Sequence, residues 1–282
     1  MLVKLMKYEF KATARMFLPM YLIILALALI NRLFMELNGY STSFRIFPEN
    51  DMIQSILSIL TGATMTIYIL GLIAMFFISF IIFVYRFYKN LMCDEGYLMM
   101  TLPVKPSQHI WAKLHTSMIW SVATILVFIL SLFILLLNGD GIQWMVQNLP
   151  FLFHNLIKGF FETELITQFH LVFFIIEFIV LLVVSNYSGI VFYYACLALG
   201  HRLSKKHKIL YAIGAYLVIS FVMQIVALIL MMFAGIFLES IVLSPTALGH
   251  LIMIGSIILS AAEFVLFFFI THSTLSKHLN LE

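Results

Sequence analysis

The sequence predicts an all-α integral membrane protein with six transmembrane helices, an N-terminal amphipathic helix and one short cytoplasmic helix. Of its 282 residues, 63% are hydrophobic and only 10% are charged, and its mean hydropathy is +1.08. A soluble domain has about 25% charged residues. Long apolar runs such as Ile119 to Leu137 are continuous, whereas the strands of a membrane β-barrel alternate apolar and polar residues. Because backbone groups in lipid must be satisfied within one segment, these runs indicate helices.

Six segments are long enough to span a bilayer, which requires about 20 apolar residues. All six are expected to form one membrane domain that covers residues 1–282. They lie at about Phe17–Leu37, Ile56–Phe83, Leu114–Leu137, Leu171–Leu199, Ile209–Phe237 and Leu248–Thr271.

The basic residues predict that both termini are cytoplasmic, since Lys and Arg concentrate in cytoplasmic loops. In that orientation only Arg32, Arg45 and Lys158 of the 16 basic residues lie outside. The net charge of +3 therefore follows from topology and does not indicate nucleic-acid binding. Cys93 and Cys196 fall on the cytoplasmic side, where thiols stay reduced.

Residues 1–14 are predicted to form the amphipathic helix. Their basic residues, continued by Arg15, recur in steps of three and four and so share one narrow arc of a helix. Such a helix would lie on the inner leaflet with its basic side chains near anionic headgroups. The alternative is a simple positive flank of the first span. The residues of this basic arc are Lys4, Lys7, Lys11 and Arg15.

The longest charged stretch on the cytoplasmic side is the loop of residues 86–113, between spans two and three. Leu91–Met100 is predicted to form a short helix there, because an acidic pair stands near its start. Pro103 and Pro106 are expected to end that helix before span three begins. A rigid cytoplasmic element of this kind could receive mechanical work from a soluble partner.

The longest outer segment, residues 138–170, has apolar and aromatic residues at roughly helical spacing. It is expected to lie in the outer interface of the membrane, where aromatic rings sit at headgroup level. It would either cap a translocation path or pack against the ends of the spans.

Two acidic residues, Glu177 in the fourth span and Glu263 in the sixth, fall inside the membrane. Because a charge there is costly, such residues usually face a cavity or a partner. They are either pathway, gating or proton-binding residues, or neutral acids that hydrogen-bond to nearby groups. Asn186, in a polar stretch of span four, would either line a path or permit close helix packing.

The sequence contains none of the motifs that would indicate a metal site or ATP hydrolysis. It has no HExxH, no CxxC and no GxxxxGK[ST] phosphate loop. We therefore expect no catalytic residues, no metal ligands and no cofactor on this chain. If the protein uses ATP, a separate subunit must hydrolyse it.

Three stretches resemble the permease subunits of type-2 ABC transporters, the small six-span exporter subunits of Gram-positive bacteria. These are KYEFK at Lys7–Lys11, FYKNLMCDEGYLMMTLPV at Phe87–Val104 and YYACLALGH at Tyr193–His201. The resemblance covers nearly the whole chain in layout, while its specific residues are confined to these stretches. In this family the extracellular helices usually lie between spans five and six, whereas here the longest outer segment lies between spans three and four.

The resemblance implies that the loop between spans two and three carries a coupling helix that touches an ABC ATPase. Residues 201–208 would form a second contact. The coupling contact would comprise Asp94, Glu95, Gly96, Tyr97 and Leu98.

The function expected from these features is that of the membrane subunit of an ATP-driven exporter in the bacterial cytoplasmic membrane. It would move a hydrophobic peptide, lipid or drug, with ATP and Mg²⁺ bound by a separate ATPase and with an identical or paralogous second permease subunit. One alternative is a secondary transporter driven by protons through Glu177 and Glu263. Another is a non-transporting membrane scaffold or an immunity protein that binds an antimicrobial peptide.

Overall fold

The computed structural model describes residues 2–37, 51–93, 95–101, 103–136, 165–204, 207–239 and 244–277, with single positions between 147 and 158. Within these residues all regular structure is helical and no strand occurs. The helices are α1 (Leu2–Leu37), α2 (Asp51–Met92), α3 (Glu95–Met100), α4 (Pro106–Leu136), α5 (Leu165–Leu203), α6 (Lys208–Glu239) and α7 (Pro245–Lys277).

Every one of these helices except α3 is long and apolar enough to cross a membrane. This confirms the all-helical class and the six predicted spans, and it indicates a multi-pass membrane protein. The helices are longer than the predicted spans: α2 continues to Met92, and α4 already begins at Pro106. Both extensions lie at helix ends that the distribution of basic residues assigns to the cytoplasm.

Three predicted boundaries differ from the structure. Residues 2–14 are the first turns of α1 and do not form a separate helix. Leu91 and Met92 end α2, so the short helix α3 begins only at Glu95. Pro106 does not end a helix but opens α4, because the first helical turn needs no N–H donor from its first residue.

Some of the expected features lie wholly or partly outside the described residues. Asp94 is one of them. Most of the outer segment 138–170 is another, except that its last residues, from Leu165 onward, are the first turns of α5.

The chain divides into two compact units. We call Lys7–Ile82 with Ile119–Glu164 the N-terminal unit. The C-terminal unit comprises Met1–Met6, Phe83–Met118 and Leu165–Glu282.

In the N-terminal unit, one face of α1 packs around the indole of Trp120 on α4. The Trp120 ring stacks on Phe10 and Phe17, with ring centroids 4.7 and 4.6 Å apart. Its Nε1–H donates to Thr13 Oγ1 at 2.8 Å. The buried side chains of α1 follow helical spacing, which is why this face is continuous: Glu9, Thr13, Phe17, Tyr21, Ile24, Ala28 and Asn31.

In the C-terminal unit, the core joins the end of α2, the start of α4 and the last turns of α5 and α7. The Phe87 ring stacks on Tyr194 with centroids 3.9 Å apart. The topology predicted from the basic residues assigns these packed helix ends to the cytoplasmic side. The buried residues of this core are Phe87, Leu91, Met92, Ile110, Leu114, Ile190, Val191, Tyr194, Ala195, Ala198, Phe267 and Leu275.

Candidate functional site

Helix α3 follows the buried end of α2 and exposes two large apolar side chains. Leu91 and Met92, immediately before it in sequence, are fully buried. The Gly96 N–H donates to the Cys93 carbonyl at 2.7 Å, which forms the turn from α2 into α3. Tyr97 and Leu98 are 65% and 68% exposed, so both are free to contact a partner.

The residues of the predicted helix Leu91–Met100 differ in what they can contact. Leu91 belongs to the core of its own chain and is not available to a partner. Glu95 forms an ion pair with Lys89 at 3.4 Å, and both side chains are about half exposed. Such pairs contribute little to stability, so Glu95 remains accessible to a partner.

Residues 201–208, the second expected cytoplasmic contact, include both buried and exposed side chains. His201 is buried, and within the described residues its Nε2 has no hydrogen-bond partner. Arg202 and Leu203 are exposed. Lys205 and Lys206 lie outside the described residues, and of the others only the exposed ones are available to another protein.

The basic arc at the start of α1 is exposed along its whole length. Lys4, Lys7, Lys11 and Arg15 are all exposed, whereas Glu9 is buried. Apolar side chains of the same turns are exposed as well, among them Val3 and Tyr8, so the anchoring role of the basic arc stays a prediction.

Glu177, on α5, is hydrogen-bonded to one histidine, which in turn is bonded to a second. His250 Nδ1, on α7, lies 2.9 Å from both carboxylate oxygens of Glu177. His250 Nε2 lies 3.0 Å from His170 Nδ1, on α5. In the tautomer with hydrogen on His250 Nδ1, that nitrogen donates to the carboxylate, and His250 Nε2 accepts from His170 Nδ1–H. The three side chains, which we call the His–His–Glu chain, thus form one continuous hydrogen-bonded series that joins α5 to α7.

A ring and a glycine hold His250 in place. The Phe174 ring stacks on the imidazole with centroids 3.9 Å apart. A Cβ atom on Gly249 would lie 2.7 Å from the tip of the Phe174 ring, so a larger residue would force that ring to move. The His–His–Glu chain is therefore part of the packing of α5 against α7.

Glu263, on α7, lies in a different environment from Glu177. Ser188 Oγ, on α5, donates to Glu263 Oε2 at 3.3 Å. Nearby, the hydroxyls of Ser185 and Ser260 lie 3.4 Å apart across the same two helices. These residues line an open cleft of about 400 Å³ between α5, α6 and α7, which we call the serine cleft.

Asn186 is half-buried and does not line the serine cleft. Its Oδ1 atom is buried and has no hydrogen-bond partner among the described residues. The next residue, Tyr187, joins α5 to α4 through a 2.8 Å hydrogen bond between its hydroxyl and His115 Nδ1. Of the three predicted intramembrane residues, Glu263 lines the serine cleft, whereas Glu177 and Asn186 do not.

Sequence reasoning missed the two histidines. His170 and Glu177 are seven residues apart, which is two helical turns, so their shared face was visible in the sequence. His250 is separated from Glu177 by 73 residues, and no local pattern connects the two. Only the packing of α7 on α5 shows the contact.

No protein-family model matches this chain, and neither characterised proteins nor solved structures show significant similarity to it.

Proposed function

We propose that this chain is the permease subunit of an ATP-driven ABC exporter in the bacterial cytoplasmic membrane, with α3 as its coupling helix. ATP and Mg²⁺ bind a separate ABC ATPase, and a second permease subunit, identical or paralogous, completes the path. The exported substrate is a hydrophobic peptide, lipid or drug.

One observation carries this proposal: Tyr97 and Leu98 are exposed, whereas the end of α2 just before them in sequence is buried. An element that transmits force must be fixed to its own protein and must offer a surface to its partner. Buried apolar anchors dominate most protein interfaces, whereas charges at the rim contribute less. Tyr97 and Leu98 are therefore the anchors, and Glu95 is a rim charge.

Closure of the ATPase pair on ATP would push α3 and thereby the packed ends of α2, α4, α5 and α7. Two alternating arrangements of the spans then open the path to one side or the other. The absence of a phosphate loop from the sequence supports the assignment of ATP hydrolysis to the partner.

The experiment is purification of the tagged chain from its native membrane in mild detergent, with mass spectrometry of what co-purifies. We expect an ATPase that carries a phosphate loop. The double variant Tyr97→Ala, Leu98→Ala should lose most of this ATPase, while the matched variant Glu95→Ala should keep it. Unchanged size-exclusion elution of both variants shows that they are folded.

Two results would refute the proposal. One is a wild-type chain that transports without any co-purifying ATPase. The other is full assembly and full coupling of ATP hydrolysis to transport in the double variant.

The His–His–Glu chain favours a second candidate, a secondary transporter driven by protons. An intramembrane carboxylate hydrogen-bonded to one imidazole, which in turn is bonded to a second, can bind and release a proton as the protein changes state. In this case a protonophore stops the efflux of a lipophilic dye from cells, and vanadate does not. Glu177→Gln should also stop efflux, although it leaves membrane insertion intact.

A further inference from the structure

The serine cleft combines one carboxylate with several hydroxyls and apolar rings. Ser185 and Ser188 on α5, Ser220 on α6, and Ser260 and Glu263 on α7 supply its oxygen atoms. Its remaining lining includes Phe192, Met223 and Phe267. The volume of about 400 Å³ lies in the usual range of small-molecule sites, about 300–1,000 Å³.

Within the part of the chain that the structure describes, Glu263 has no cationic partner. Among the described residues no Lys, Arg or His pairs with it, and Ser188 supplies its hydrogen bond. Glu177 differs because it is bonded to His250. A carboxylate within a span usually faces a cavity or a partner of opposite charge, and the cavity here is empty of protein cations.

We propose that the serine cleft binds a protonated amine that carries an apolar body. The ammonium group donates N–H hydrogen bonds to the Glu263 carboxylate and to the hydroxyls around it. Phe192, Phe267 and Met223 offer an apolar surface to the rest of the molecule.

Other ligand classes fit less well. An anion would be repelled by Glu263. A divalent metal ion needs six or more oxygen ligands with more than one negative charge for firm binding, whereas the cleft has one carboxylate. A neutral alcohol can use the hydroxyls but gains nothing from the charge, so amine and alcohol forms of one molecule should be distinguished.

This inference does not depend on the exporter proposal, because binding requires no ATPase. The test uses the full chain in lipid nanodiscs and two photo-reactive probes, dodecylamine with a diazirine on its alkyl chain and the corresponding dodecanol. Labelled peptides are identified by mass spectrometry. We expect saturable labelling of cleft residues, with an apparent affinity for the amine about 10–100-fold above that for the alcohol, as for a charge-assisted hydrogen bond.

Glu263→Gln keeps the shape of the side chain and should abolish the preference for the amine. Glu36→Gln is the matched control: it removes a carboxylate of the N-terminal unit, where Glu36 pairs with Arg32, and should keep the preference. Gly189→Leu tests the cavity itself. A Cβ at Gly189 meets nothing within 4 Å, so the larger side chain can enter the cleft and should exclude both probes.

Circular dichroism and size-exclusion elution establish that each variant is folded. Equal labelling of the wild-type chain by amine and alcohol would overturn the proposal. So would an amine preference that survives in Glu263→Gln, or unchanged labelling in Gly189→Leu, which remains decisive if Glu263→Gln does not fold.

Discussion

Gly249 shows how much one missing side chain contributes at the scale of single residues. Because Gly249 has no Cβ atom, α7 lies close enough to the Phe174 ring for that ring to stack on His250. The imidazole is thereby held between a ring on one face and hydrogen bonds at both nitrogens.

We predict that Gly249→Ala lowers the free energy of unfolding by about 1–3 kcal/mol, the usual cost of overpacking. The added methyl would force the Phe174 ring away from His250. Gly255→Ala, on the same helix, is the matched control, since nothing lies within 4 Å of a Cβ there. Thermal unfolding in detergent measures both, and equal midpoints for the two variants would contradict the predicted clash.

At the scale of elements, α5 and α6 meet where one helix ends and the next begins. A Cβ on Gly200 would lie 2.4 Å from the backbone nitrogen of Ala212. Backbone cannot move aside as a flexible side chain can, so the two helices would have to separate.

Gly200→Ala should therefore destabilise the α5–α6 pair, by about 1–3 kcal/mol or more. Gly214→Ala on α6 is the control, because a Cβ there meets nothing within 4 Å. Limited proteolysis between α5 and α6 reports the separation as faster cleavage in the first variant. Cleavage at the wild-type rate in both would show that the helices can shift at no cost.

Truncating a side chain to alanine should lower stability at the end of α2 but not on α3. Leu91→Ala removes a fully buried side chain and should cost about 2–5 kcal/mol of stability. Tyr97→Ala with Leu98→Ala removes mostly exposed side chains and should change the unfolding midpoint little. A large loss of stability in the double variant would mean that both residues pack within the chain, and α3 would then have no free surface for a partner.

At the scale of the whole molecule, the excess of basic residues on one side predicts the orientation in the membrane. A membrane-impermeant maleimide should label Gln147→Cys in intact cells. It should label Ser204→Cys only after the cells are made permeable. The half-buried Cys93 is replaced in these variants so that it does not react with the maleimide. Cys196 is kept because it is buried. Labelling of Ser204→Cys from outside would reverse the proposed topology.

The sequence alone determined the helical class and the six spans, because both depend on local properties. Continuous apolar length measured against bilayer thickness is visible within each segment. The same holds for the exposed arc of Lys4, Lys7, Lys11 and Arg15, which follows from helical spacing. The extent of α2 and α4 beyond the apolar runs was less visible, since packing of their ends, and not hydropathy, stabilises those turns.

Only the tertiary structure decided which groups meet. The partners of Glu177 and Glu263 come from another helix, more than 70 residues away, and hydropathy carries no information about how two spans face each other. For the same reason hydropathy does not distinguish Leu91 from Leu98, although the first is buried in the core and the second is exposed. A bilayer selects apolar residues on all sides of a span, so the choice between lipid, core and cavity is made by packing.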